Sequence, residues 1–331
     1  MKEPLTSILI PCHNSERWIK PAIDSALAQT WRNIEVIIVD DGSSDQSLAL
    51  LKTLESPRLK VIATTQRGAS AARNTALRES QGDFIQYLDA DDLLAPEKIA
   101  AQLNIIDSDD ALLTFGSVIH FQDEQPPDQG VFSAATIRDS LRNPIEFLID
   151  LLGGNGRGWM VQTGQWLVPR KISDQTGPWN ESLSVDDDGE YFCRAILSAQ
   201  KLAACPASVC FYRKHSRGGN LSARSGYSRR GAASLLASTR LKGRWLGQVS
   251  SDPRIATALA ASYSSLALSS YPQAAEVSAE AITELHALGR ELSLTGGTRW
   301  FDALTRIGGW KFARRMQRLA AIVRSKQPTF L

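Results

Sequence analysis

The first hundred residues alternate two hydrophobic periods, and this alternation limits the possible folds more than any other feature. Short apolar runs at Ser7–Ile10, Glu35–Val39, Leu59–Ala63 and Phe84–Leu88 have the length of buried strands. Between them Ile19, Ile23, Ala26 and Leu27 share one helical face, as do Leu48, Leu51 and Leu54. Strands alternating with helices predict βαβ units, and hence an α/β fold with a mainly parallel sheet and flanking helices. Asp45 and Ser70 are expected as helix N-caps.

In such a sheet ligands bind beyond the carboxyl ends of the strands, and polar groups collect there in this chain. Pro11, Cys12, His13 and Asn14 follow the first run; Asp40, Asp41, Gly42 and Ser43 follow the second; Asp89, Ala90, Asp91 and Asp92 follow the fourth. Acids crowded where a strand leaves the core repel one another, so the cluster is costly unless a cation or a ligand donor sits among them. Asp89 and Asp91 are two apart, and an extended chain turns both to one side. That spacing suits a divalent cation gripping a diphosphate. A single strand-end aspartate is more often a turn former or cap, but three such ends on one rim are harder to explain that way.

Charge is unevenly spread. Residues 1–190 hold 16 Lys/Arg against 29 Asp/Glu, residues 191–251 hold 11 Lys/Arg and no acid, and 299–331 hold 8 basic residues against 1 acid. This pattern fits a metal site that meets an anionic ligand or membrane surface, and it also fits ordinary solvated faces. Cys12, Cys193, Cys205 and Cys210 form no CxxC pair, so neither a disulfide framework nor a zinc cage is signalled. No apolar run approaches the roughly 18 residues of a membrane span, and no basic leader precedes one, so a cytoplasmic protein is expected.

The middle of the chain is less regular. Ala111–Phe121 reads as a strand, Pro144–Leu152 as a short helix, Gly153–Gly158 as a loop and Trp166–Val168 as a further apolar run. From 226 the Ala/Leu/Ser-rich text predicts helices through Leu288, a break at Gly296 and Gly297, and a basic aromatic segment, Trp300–Arg324. Two units follow: an α/β domain over 1–225 and a helical region over 226–331.

The first strand is not followed by G-x-G-x-x-G, which excludes a dinucleotide-binding dehydrogenase, and the absence of GxxxxGK[ST] excludes a P-loop NTPase. A sugar nucleotidyltransferase would need a glycine-rich first loop with Arg or Lys. No motif for nucleic acid accompanies the basic residues.

The pieces "SILIPCHNSERWI", "ALAQTWRNIEVIIVDDGSSD", "RGASAARNTAL", "GDFIQYLDADDLLAPEKI", "GPWNESLSVDDDGEYFCRAI" and "YRKHSRGGNLSA" stand in the order and separations of the inverting glycosyltransferase family 2, which the chain resembles from about residue 5 to 223. The resemblance implies a GT-A (Rossmann-like) nucleotide-sugar fold. It also implies metal-dependent, inverting transfer of a sugar from a nucleotide-sugar, expected to be a UDP-sugar, to a hydroxyl acceptor in polysaccharide or glycan biosynthesis. On this basis Pro11, His13 and Asn14 would border the base and ribose, Asp41 would bond the nucleobase, and Arg73 would reach the nucleotide. Asp89 would contact the ribose side of the donor, Asp91 would ligate Mn2+ or Mg2+, and His215 would be a further metal ligand. Asp92 would cap the following helix. Asp188 would be the general base, with Asp187 the alternative because the family has Glu at that place. Asp186, Asp187 and Glu190 would raise the pKa of Asp188; read alone, "DDDGE" is also an acidic helix start favoured by the macrodipole.

Arg213, Lys214 and Arg217 with Gly218 and Gly219 would form a loop closing over phosphates, so that the acid-free stretch balances an anionic donor. Trp159, Gln162, Trp166 and Trp179 would shape the acceptor pocket or belong to the core. The acceptor would be a glycan, a lipid-linked sugar or a protein. The basic tail would lie on the inner face of a membrane, or dock on its own domain or a second subunit of a homo-oligomer. The competing expectation is a non-catalytic nucleotide-sugar-binding or scaffold protein on the same fold.

Overall fold

The computed structural model describes residues 3–136, 142–215, 228–294 and 299–325. Its first half follows the predicted alternation: β1 (Thr6–Cys12), α1 (Ile19–Leu27), β2 (Ile34–Asp41), α2 (Ser47–Lys52), β3 (Leu59–Thr64), α3 (Ala69–Glu79) and β4 (Phe84–Tyr87). These strands lie in the order β3-β2-β1-β4, all parallel. Strand periodicity sorts the side chains. Ile8, Ile10, Val36 and Ile38 pack with Ile19, Ile23 and Ala26 of α1 on one face. Leu9, Ile37 and Val39 pack with Ala72 and Ala76 of α3 on the other. With both faces covered, β1 and β2 are buried almost throughout, whereas the edge strand β3 is half-exposed.

The chain continues through β5 (Leu93–Leu94), α4 (Lys98–Ile106), β6 (Leu112–Gln122), β7 (Val131–Ser133), α5 (Pro144–Leu151), β8 (Trp166–Pro169), α6 (Arg170–Thr176), α7 (Asp187–Ser198) and β9 (Lys201–Lys214). β8 extends the sheet antiparallel to β4, β6 pairs antiparallel with β8, and β9 runs parallel to β6 with β5 at its far side. At Gly116 the β6–β9 register slips, and a Cβ there would meet the Ser208 carbonyl oxygen at 2.4 Å. Only glycine allows that approach.

The final helices are α8 (Arg229–Val249), α9 (Pro253–Ser270), α10 (Ala275–Ala287) and α11 (Arg299–Ser325). Leu236, Leu246, Leu259, Tyr263 and Leu285 join Trp166 and Phe192 in one buried cluster, so α8 to α10 share a core with the sheet. Among the described residues no helix is long and apolar enough to cross a membrane. All four cysteines are unpaired and buried. The break expected at Gly296 and Gly297 lies outside the described residues.

Both cap expectations shift. α3 starts one residue before Ser70, on Gly68 at φ 103, a conformation that glycine adopts without strain. This leaves the Ser70 hydroxyl inside the first turn, where it donates to Asp187 Oδ2 at 2.8 Å. Asp45 stands one residue before the Gln46 cap position of α2, yet its Oδ1 still accepts the Ser47 amide at 2.9 Å.

Candidate active site

β1 lies between β2 and β4, so the connections flanking it leave on opposite sides. Open α/β sheets take ligands in the crevice at such a switch. Here the crevice is a cleft of ≈ 1660 Å³ lined by Pro11, His13, Asn14, Asp41, Arg73, Asp89, Asp91, Asp187, Asp188 and His215. These ten candidates therefore face one space.

The chain segments that follow β1, β2 and β3 are tied together. Asp41 Oδ1 accepts the Arg67 amide at 2.8 Å and Oδ2 the Gly68 amide at 2.7 Å, so this buried carboxylate fixes the loop after β3. Oδ1 also accepts the Thr64 hydroxyl at 3.5 Å, whereas Oδ2 retains a further lone pair. His13 Nε2 receives the side-chain amides of Asn14 and Gln66, both at 3.2 Å. Two donors on Nε2 leave the proton on Nδ1, which donates to the Asp41 carbonyl at 2.9 Å. Asn14, at φ 50, accepts the Ser44 amide on Oδ1 at 2.7 Å and so joins the loops after β1 and β2.

Arg73 is the central cation. Buried on α3, it donates Nη2 to Asp89 Oδ1 at 2.7 Å and Nη1 to Asp187 Oδ2 at 3.0 Å, with its guanidinium 4.5 Å from the centre of the Trp179 ring. Burial disfavours its charge, but Asp89 and Asp187 outweigh burial and raise its pKa, so it is a permanent cation. Asp89 is itself pushed up, by burial first and by Asp91, against the pull of Arg73.

Asp187 and Asp188 differ in their commitments. Asp187 is held by Arg73 and Ser70. Asp188, half-buried at the start of α7, accepts the Gly189 amide at 2.8 Å. Burial, then the charges of Asp187 and Asp186, push its pKa up to about 7 against Arg73. Glu190, expected to add to this, instead binds Arg194 at 2.7 Å and accepts the Trp245 indole N–H at 3.2 Å.

Across the cleft His215 bridges two acids, with Nε2 2.8 Å from Asp91 Oδ2 and Nδ1 3.1 Å from Asp123 Oδ1. The hydrogen bond to Asp91 raises the His215 pKa, burial opposes it, and the charges of Asp91 and Asp123 add to the rise. Arg213 lies 4.4 Å from the ring centres of both Trp18 and Phe121 and donates Nε to the Asp91 carbonyl at 2.8 Å. Asp92 does not cap α4, whose cap position is Glu97. Its Oδ1 accepts the Arg213 amide at 2.8 Å and pins β9.

Trp159, Gln162 and Trp166 line the cleft. Trp179 does not; it is buried and stacked on Tyr191 at 4.1 Å and 4°. Within the acid-free stretch Arg194, Arg229, Arg240 and Lys242 pair with Glu190, Glu276, Glu284 and Asp186, whereas Arg230 lines the cleft. Arg217, Gly218 and Gly219 lie outside the described residues, whereas Arg213 and Lys214 end β9. Sequence reasoning missed Asp123, which follows a strand in "FQDEQPPD" with no pattern to mark it, and Lys242, which reads as one more cation on a helix.

A sheet with its crevice at the strand ends, closed by an acidic helix start, has the architecture of nucleotide-sugar transferases of GT-A type. The chain belongs to the glycosyl transferase family 2, which matches residues 7–177. It resembles Staphylococcus aureus TarS 1-349 in complex with UDP-GlcNAc, with a TM-score of 0.57 at 17% identity over 95% of this chain and 92% of that one. It also resembles the mannosyltransferase PcManGT from Pyrobaculum calidifontis in complex with GDP-Man and Mn2+, with a TM-score of 0.54 at 19% identity over 99% and 89% of the two chains. Both likenesses concern the fold. The Escherichia coli UDP-Glc:alpha-D-GlcNAc-diphosphoundecaprenol beta-1,3-glucosyltransferase WfaP is 32% identical over 131 residues, 39% of this chain and 51% of that protein. The chain spans about half or less of the length of these curated relatives, from 51% down to 14%.

Proposed function

We propose that the cleft transfers a sugar from a nucleoside diphosphate sugar to an acceptor hydroxyl in glycan synthesis, by one inverting displacement. The observation that carries this reading is the Arg73 bridge, which draws Asp89 at the end of β4 and Asp187 at the start of α7 onto one wall. Pro11, His13, Asn14 and Asp41 border the base and ribose. Asp188 takes the proton of the acceptor hydroxyl. The acceptor oxygen bonds to the anomeric carbon from the face opposite the diphosphate, and the bond from that carbon to the diphosphate oxygen breaks. Such a base works best with a pKa near the working pH, and Asp188 lies at about 7. Arg73 keeps Asp187 occupied and so leaves Asp188 free for the proton.

Asp91 and His215 would hold a divalent cation, and their oxygen and nitrogen donors fit Mn2+, or Mg2+ through the carboxylate. No group of three or more ligating side chains occurs among the described residues, so such an ion would have to complete its shell with diphosphate oxygens and water. When bound, the ion would supply Lewis-acid stabilisation of the charge on the departing diphosphate.

The E. coli relative is named for UDP-Glc and TarS was solved with UDP-GlcNAc, which supports a uridine donor. A lipid-linked diphosphate sugar, as in that relative's name, is the first acceptor to try. The deciding experiment measures nucleoside diphosphate release from a panel of UDP- and GDP-sugars with Mn2+, for the wild type and Asp188→Asn. Release that the substitution leaves unchanged removes Asp188 as the base.

A further inference from the structure

Helix α8 reads the turn that presents the two acids. Ser234, Ser238 and Lys242 recur every four residues and so share one face of α8. Ser234 Oγ accepts the amides of Ser184 and Val185 at 2.9 and 3.0 Å, and donates to the Val185 carbonyl at 2.8 Å. Ser238 Oγ lies 2.6 Å from Asp186 Oδ2 and 3.0 Å from the Asp186 carbonyl. Lys242, buried, places Nζ 2.6 Å from the same Oδ2. Asp186 is left-handed at φ 61, and a Cβ at Gly189 would fall 2.1 Å from its Oδ1, so carboxylate and turn have one arrangement.

We propose that Lys242 is a positioning residue for sugar transfer: with Ser238 it anchors Asp186 and cancels its charge, and so sets where Asp188 stands and what field it feels. This rests on Asp188 being the base. The charges facing Asp188 are Asp186 and Asp187 on its own turn, Arg73 on α3 and Lys242 on α8. Lys242 lies outside the residues that match the family, so the C-terminal helical region becomes part of the working site.

The test compares Lys242→Met, Asp186→Asn/Lys242→Met and Asp188→Asn in the full chain, by kcat, KM, nucleotide affinity from calorimetry and the pH profile of kcat/KM. Loss of the cation leaves Asp186 uncompensated beside Asp188. Lys242→Met should then lower kcat by about 10- to 100-fold with nucleotide affinity kept, and move the acid limb up by about one pH unit. The double variant has no charge on either partner, guards against misfolding of the single one, and should return the limb toward the wild-type position. A wild-type limb and kcat in Lys242→Met overturns the proposal, as does a double variant no better than the single. An acid limb that survives in Asp188→Asn overturns instead the assignment of the base, whatever Lys242 does.

Discussion

Arg73 and Asp187 stand 114 residues apart in the chain and 3.0 Å apart in the fold. The contact joins the sheet that carries the strand-end acids to the helix that carries the proposed base. A single planar guanidinium reaches Asp89 and Asp187 through two N–H donors held in a fixed fork, a geometry that an ammonium does not preorganise.

Replacing Arg73 should therefore damage both chemistry and fold. Arg73→Met leaves two carboxylates without their cation and should destabilise the protein by about 3–5 kcal/mol. Arg73→Lys should keep more stability yet lose about 100-fold in kcat/KM, because one of the two acids is released. Denaturant titration and steady-state kinetics on the same preparations check this.

Asp188→Asn should lower kcat by about 10²- to 10⁴-fold with nucleotide affinity unchanged. The wild-type rate should fall on the acid side of pH 7 as Asp188 takes up its proton. Its folded pKa lies above the ordinary 3.8, so the folded state binds this proton more tightly than the unfolded chain. Stability is lost as pH rises from 4 to 7. The Asn variant lacks that loss and should melt higher than wild type at pH 8, with the difference closing near pH 4.

Lys98 predicts the opposite slope. Buried beneath β4, it donates to Gln86 and, at 3.0 Å, to the Trp166 carbonyl, and burial pushes its pKa from 10.5 to about 7. The unfolded chain then holds this proton more tightly, and stability should rise between pH 7 and 9.5 by up to about 3 kcal/mol. Lys98→Met should not show that rise in urea titrations at the two pH values.

Chelation should abolish sugar transfer, and Mn2+ should restore it. His215→Ala should raise the Mn2+ concentration needed, and Asp123→Ala, which removes the carboxylate that orients the imidazole, should raise it by about 10- to 100-fold. Activity titrated against free Mn2+ measures both.

α11, which bends at Gly309 (φ 76), exposes Trp300 (77%), Ile307 (80%) and Leu319 (56%), with Arg306 exposed next to Ile307, while Phe301 and Ala313 pack inward and Lys311 and Arg315 lie over the Tyr271 ring. Exposed apolar side chains on a basic helical segment suit an anionic bilayer surface. Vesicles containing phosphatidylglycerol should co-sediment the protein and neutral vesicles should not. Ile307→Glu/Leu319→Glu should abolish binding, and a wild type that ignores both vesicle types ends the idea.

The sequence by itself determined the strand–helix alternation and the gathering of His13, Asp41, Asp89 and Asp91 on one rim. Both follow from local periodicity and from the rule that strand ends in such sheets border the crevice. Tertiary structure decided what each of these groups does. Asp187 and Asp188 are adjacent and chemically alike in the chain, and only the arrival of Arg73 and Ser70 from α3 commits one and frees the other. Ser70 could not be told from a cap, Asp92 from a helix start, Trp179 from an acceptor platform or Lys242 from a surface cation, because each is defined by a partner more than fifty residues away. Short-range pattern fixes where a side chain leaves the backbone. The low-dielectric contact that sets its charge and orientation forms only when distant segments pack.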